Sequence, residues 1–214
     1  MEEKIVASNI ILVAKKHNPA IATKEWLLEK KVFTKEPISF MNTEDFSAYD
    51  AGDLLLTVNP VQLVMQTKNA PSMQNIQQMG EHINLYTSNL TETPYFAIGL
   101  NLHWKIEKTK EEDDLSNTLK KNICCNISKV EEMLDTKSFR FGAKFIYPFE
   151  NTMLTIELMP VDVSGQFTMA MFNFEMNVKK TVKANSISLI QIFTANLLAY
   201  YEKSKIILDL LICK

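Results

Sequence analysis

Residues 94–107, PYFAIGLNLHWKIE, alternate between two sets of side chains. Phe96, Ile98, Leu100, Leu102, Trp104 and Ile106 form one set; Tyr95, Ala97, Gly99, Asn101, His103 and Lys105 form the other. A period of two is the signature of a strand with one buried face and one solvated face. Half-buried strands of this kind belong to antiparallel sheets, because parallel strands are covered on both sides and read as unbroken apolar runs.

Similar strands recur. Residues 4–14, KIVASNIILVA, are rich in Ile and Val. In the second half, Leu154, Ile156 and Leu158 share one face of a strand, and so do Thr168, Ala170, Phe172, Phe174, Met176 and Val178. Phe139, Phe141, Ala143, Phe145 and Tyr147 line a third strand. The links at Asn151 and at 163–165 are short, as antiparallel hairpins require.

Helices are expected between these strands. Thr23 can cap a short helix through about Lys31, and Ser72 can cap one bearing Met73, Ile76, Met79 and Ile83 at three- and four-residue steps. Residues 111–135 read as a charged helix whose inner face carries Leu115, Leu119, Ile123, Ile127, Val130 and Leu134. One long helix is expected over 186–211, capped by Asn185 or Ser186, with Ile187, Ile190, Thr194, Leu197 and Tyr201 facing inward. Pro60 interrupts 53–68, which is read as a strand that is bulged there or lies at an edge.

The fold class is therefore α+β, an antiparallel sheet with helices packed on one face. Residues 1–108 read as an α+β half in βαββαβ order, the order of ferredoxin-like units. Residues 109–214 read as an α-βββ-α half, a three-stranded meander plus the long terminal helix. The halves are expected to pack as one unit.

Several functions are disfavoured. A net charge of −2 provides no general attraction for phosphates, which argues against nucleic acid as the main partner, although Lys108, Lys110, Lys120, Lys121, Lys179, Lys180 and Lys183 could form a local patch. The uncharged run 184–201 holds Asn185, Ser186, Ser188, Gln191, Thr194 and Asn196, too polar a load for a lipid-facing helix, so no membrane is expected. Cys124, Cys125 and Cys213 make an odd count with two adjacent members, not a disulfide framework, and reduced thiols point to the cytoplasm.

Catalysis needs an activated group beside a partner. With five glycines no phosphate loop of the usual form can be built, and His17, His82 and His103 lack metal-ligand spacing. Glu157 and Glu175 lie inside strands and could pair across a hairpin, but half-solvated sheets carry such residues routinely. No catalytic residue, metal ligand or cofactor is assigned, and the His103 side reads as a solvated back.

Methionine is the unusual component, with eleven in the chain. Met153 and Met159 share one outward strand side; Phe167, Met169 and Met171 share another. Thioether side chains adapt to varied partners, and exposed apolar patches mark contact surfaces. These five residues suggest a non-enzymatic interaction, assembly or chaperone-like subunit that uses a sheet face or edge to bind a protein partner or itself. The alternative is a ligand-binding protein or enzyme with an apolar cavity between the C-terminal sheet and the terminal helix, lined by Phe141, Phe145, Phe172 and Phe174, with Tyr200 or Tyr201 as a polar contact.

Overall fold

A computed structural model describes residues 2–107, 142–160, 167–179 and 185–212, with 118, 119, 122, 123 and 132 between them. The strands are β1 (Glu2–Ala14), β2 (Ser39–Asn42), β3 (Ser47–Asp50), β4 (Leu54–Val58), β5 (Gln62–Thr67), β6 (Tyr95–Glu107), β7 (Ala143–Phe149), β8 (Thr152–Pro160) and β9 (Phe167–Asn177). The α-helices among the described residues are α1 (Lys24–Glu29), α2 (Met73–Ser88), α3 (Ser186–Ala195) and α4 (Leu197–Leu211). All nine strands form one antiparallel sheet in the order β2-β3-β4-β5-β1-β6-β9-β8-β7.

Two strands expected from the sequence, the Ile- and Val-rich β1 and the alternating β6, lie side by side at the centre. On its other side β6 pairs β9 from Ala97↔Asn177 to Glu107↔Phe167, so a single sheet runs through both halves of the chain. The C-terminal strands form the expected meander, β7-β8-β9.

The ferredoxin-like order of the first half is not confirmed. The segment expected as one strand before residue 50 folds as the β2–β3 hairpin, and the segment around Pro60 folds as the β4–β5 hairpin. Asn59 explains the second. Its side-chain oxygen accepts from the Val61 and Gln62 amides, both at 2.9 Å, and closes an Asx turn over Pro60. At the β3–β4 turn the chain passes through Gly52 at φ +95°, a conformation that other residues rarely adopt.

The strict alternation of residues 94–107 also slips once. Val13 pairs Ala97 and Ala14 pairs Tyr95, which leaves Phe96 as the extra residue of a bulge. Tyr95 thereby turns inward and is buried, while Phe96 is only half-buried.

Helix caps follow the sequence. The Thr23 hydroxyl accepts from the Trp26 amide, and Ser72 forms a reciprocal capping box with Asn75. Asn185 caps α3 by accepting from the Ile187 amide. The single terminal helix is corrected to two. At Asn196 (φ −100°, ψ 6°) the chain breaks, and the Asn196 amide donates to the Ile192 carbonyl at 2.8 Å. A short amide side chain competing for backbone carbonyls favours such a break. The break rotates the inner face, so Tyr200 rather than Tyr201 is the fully buried tyrosine.

Helices α2, α3 and α4 cover one face of the sheet. Beneath them Ile10, Leu12, Leu56, Leu63, Leu100, Leu102, Phe172 and Phe174 form a dry core. Burying each such side chain contributes roughly 1.5–3 kcal/mol before conformational entropy is counted. Gly80 is where α2 meets the α3–α4 junction: a Cβ there would lie 2.6 Å from Leu197 Cδ1. Of the helix expected over 111–135, Leu119 is buried and Ile123 packs against the core; most of that segment, including Cys124 and Cys125, lies outside the described residues. No helix among the described residues is long and apolar enough to cross a membrane.

Candidate functional site: the open sheet face

The face of the sheet opposite the helices carries the second set of each alternating strand. Its central rung is polar. Register places Gln66, Asn9, Asn101, Asn173 and Thr155 side by side on β5, β1, β6, β9 and β8. The three asparagines are joined directly: Asn173 Nδ2 donates to Asn101 Oδ1 at 2.6 Å, and Asn101 Nδ2 donates to Asn9 Oδ1 at 2.8 Å. All three are half-buried, so each bond replaces hydration that neighbouring strands have partly removed. The amides point head to tail, leaving a donor end at Asn9 and an acceptor end at Asn173. Sequence reading places Asn101 on this face; only the pairing of distant strands reveals the ladder.

One rung away, His103 lies opposite Ala7 on one side and Met171 on the other. It is half-buried, and that burial lowers its pKa below the ordinary 6.5. Lys105 lies opposite Met169 and pairs with Glu107.

The methionines expected on an outward face occupy this one. Met153 is 47% exposed and Met159 42% exposed, whereas Met169 and Met171 are half-buried. Met159 lies directly opposite Met169, and Met171 lies between His103 and Glu157. Phe167 opens β9, but its side chain lies outside the described residues. Ile146 of the edge strand β7, 61% exposed, extends the apolar area beyond Thr155.

No family model matches the chain, and no curated protein does either.

The other sequence candidates are placed elsewhere. Glu157 and Glu175 do not face one another: Glu157 opposes Met171 and Glu175 opposes Met153, with the Thr155–Asn173 pair between them. Of the residues expected to line an apolar cavity, Phe172 and Phe174 have no exposed surface, and Phe174 stacks on Tyr200 with ring centres 4.8 Å apart. Phe145 is more than a third exposed on β7, and Tyr201 is half-buried against Trp104. Phe141 lies outside the described residues. Tyr200, expected with Tyr201 as a possible polar contact of that cavity, is instead buried; its hydroxyl has no hydrogen-bond partner among the described residues, and burial raises its pKa to about 12.

His17 and His82 are structural. His17 Nε2 donates to the Leu12 carbonyl at 3.1 Å, and His82 Nδ1 donates to the Val32 carbonyl beside the Phe33 ring. Burial lowers both pKa values below 6.5, which holds the rings neutral. A shallow groove of about 290 Å³ lies where α2 meets α3 and α4, between Gln77, Asn84, Gln191 and Leu198.

Proposed function

We propose that the protein is a non-enzymatic interaction or assembly subunit, chaperone-like in its use of an adaptable surface, that binds a protein partner or a second copy of itself through the open face and its β7 edge. The reading rests on one observation: exposed Met153, Met159 and Ile146 lie on a sheet face that no described helix covers. Exposed thioether and aliphatic groups beside a rigid amide ladder supply the mixture of adaptable apolar area and fixed polar register that contact surfaces use. Reduced thiols at Cys124, Cys125 and Cys213 would suit a cytoplasmic setting.

Affinity purification from the source cell, followed by native mass measurement, tests the proposal. The expected result is a defined complex or homo-oligomer that Ile146→Glu and Met153→Glu disrupt while the far-UV spectrum stays unchanged. A lone monomer, or a complex indifferent to both substitutions, overturns it.

A further inference from the structure

Apart from the exposed Met41, Met73 and Met153, the methionines among the described residues fall into two groups. Met65, Met79 and Met176 are buried in the core, where a flexible side chain fills irregular space. Met159, Met169 and Met171 gather on the open face beside a histidine, in a register that adjacent strands enforce.

The gathering spans two rungs. On β9, Met169 and Met171 stand two residues apart on one face, a spacing of about 7 Å along a strand. β8 sets Met159 directly opposite Met169, and β6 sets His103 directly opposite Met171. Directly opposed residues have Cβ atoms about 4.5–5.5 Å apart. Each methionine then has three rotatable bonds with which to bring its sulfur toward the middle.

We propose that Met159, Met169, Met171 and His103 form a binding site for one soft monovalent metal ion of the copper(I) class. Thioether sulfurs are neutral, soft donors that select such an ion over zinc, magnesium or calcium. The imidazole adds a donor of the kind that binds metal in its neutral form. Among the described residues no group of three or more His, Cys, Asp and Glu comes together, so the donors here are not those of a hard-ion site. Charge around the cluster is mixed. The Glu157 carboxylate opposite Met171 favours a bound cation, and the Lys105 ammonium opposite Met169 is paired with Glu107. Met159 is well exposed, which leaves the ion a route from solvent. The site is formed by one chain and does not depend on any protein partner.

Silver(I), the redox-inert analogue of copper(I), is the probe. The full chain carries Cys124→Ser, Cys125→Ser and Cys213→Ser, because thiolates would otherwise capture the ion. Titration is followed by native mass spectrometry and by ¹³C-labelled methionine methyl resonances. The expected outcome is saturation at one ion, with shifts at Met159, Met169 and Met171 and none at Met65, Met79 or Met176. Met169→Leu/Met171→Leu, which preserves apolar volume, should weaken binding at least about ten-fold with an unchanged urea midpoint. His103→Gln should weaken binding several-fold, because it removes the one imidazole donor of the cluster. Equal shifts at the exposed Met41, Met73 and Met153, or undiminished binding in the double Leu variant, overturn the proposal.

Discussion

The Asn101 side-chain amide donates to the side-chain oxygen Oδ1 of Asn9 at 2.8 Å, although ninety-two residues separate the two in the chain. The same Asn101 accepts from Asn173 on its other side, so one residue at the centre of β6 ties together three adjacent strands, β1, β6 and β9. Asn101→Ala removes both bonds and leaves a donor on Asn173 and an acceptor on Asn9 partly shielded from water. The expected cost is about 1–2 kcal/mol in urea denaturation. A double-substitution cycle with Asn9→Ala should show coupling of at least about 0.5 kcal/mol, and additive effects would mean that the ladder is decorative.

Gly80 lies at the crossing of α2 with the α3–α4 junction. A methyl group there meets Leu197 Cδ1 at 2.6 Å and Thr194 Cβ at 3.4 Å, with Leu197 itself buried. Alanine gains about 1 kcal/mol in helix propensity, but overpacking costs about 1–3 kcal/mol. Gly80→Ala is therefore expected to lower stability by about 1 kcal/mol, read as a reduced thermal midpoint. A raised midpoint would show that the junction yields without strain.

Tyr200 carries a buried hydroxyl without a partner among the described residues, wrapped by Phe149, Phe174 and Phe193. Burying an unpaired polar group costs about 1–3 kcal/mol. Tyr200→Phe deletes that group while keeping the ring stack, so the variant should be as stable as the parent or more so, by up to about 1 kcal/mol. Marked destabilisation in chemical denaturation would reveal a hydrogen bond to the hydroxyl.

Acidification should destabilise the fold through its buried imidazoles. His17 and His82 have folded-state pKa values lowered by burial, so between those values and 6.5 the unfolded chain binds more protons than the folded one. Stability is thus fully present above pH 6.5 and falls as the pH drops below it. The urea midpoint should decline from pH 7.5 to 5.5, and His17→Gln should flatten that decline. A midpoint constant over this range would contradict the burial argument.

Much of the architecture was legible because each local rule had a local cause. Thr23, Ser72 and Asn185 cap helices by bonding amides two or three residues away, and no distant contact is needed to see it. The hairpin at Asn59–Pro60 was legible in principle too, since an Asx turn is written in those two residues, but the apolar run around it reads as one strand. The break at Asn196 was harder. An uninterrupted apolar pattern on either side conceals a backbone rotation that moves burial from Tyr201 to Tyr200. The bulge at Phe96 exists only because β1 and β6 must pair past each other.

The sequence by itself determined the two-sided character of the strands and the helix starts, because periodicity and capping act over a few residues. Which strands become neighbours was decided by the tertiary structure alone. Asn9 meets Asn101, His103 meets Met171, and Met159 meets Met169 through hydrogen-bonded register between strands up to ninety-two residues apart. Alternation fixes the face on which a residue stands but carries no information about what stands beside it, so the donors of the open face became a cluster only when the sheet closed its ladder.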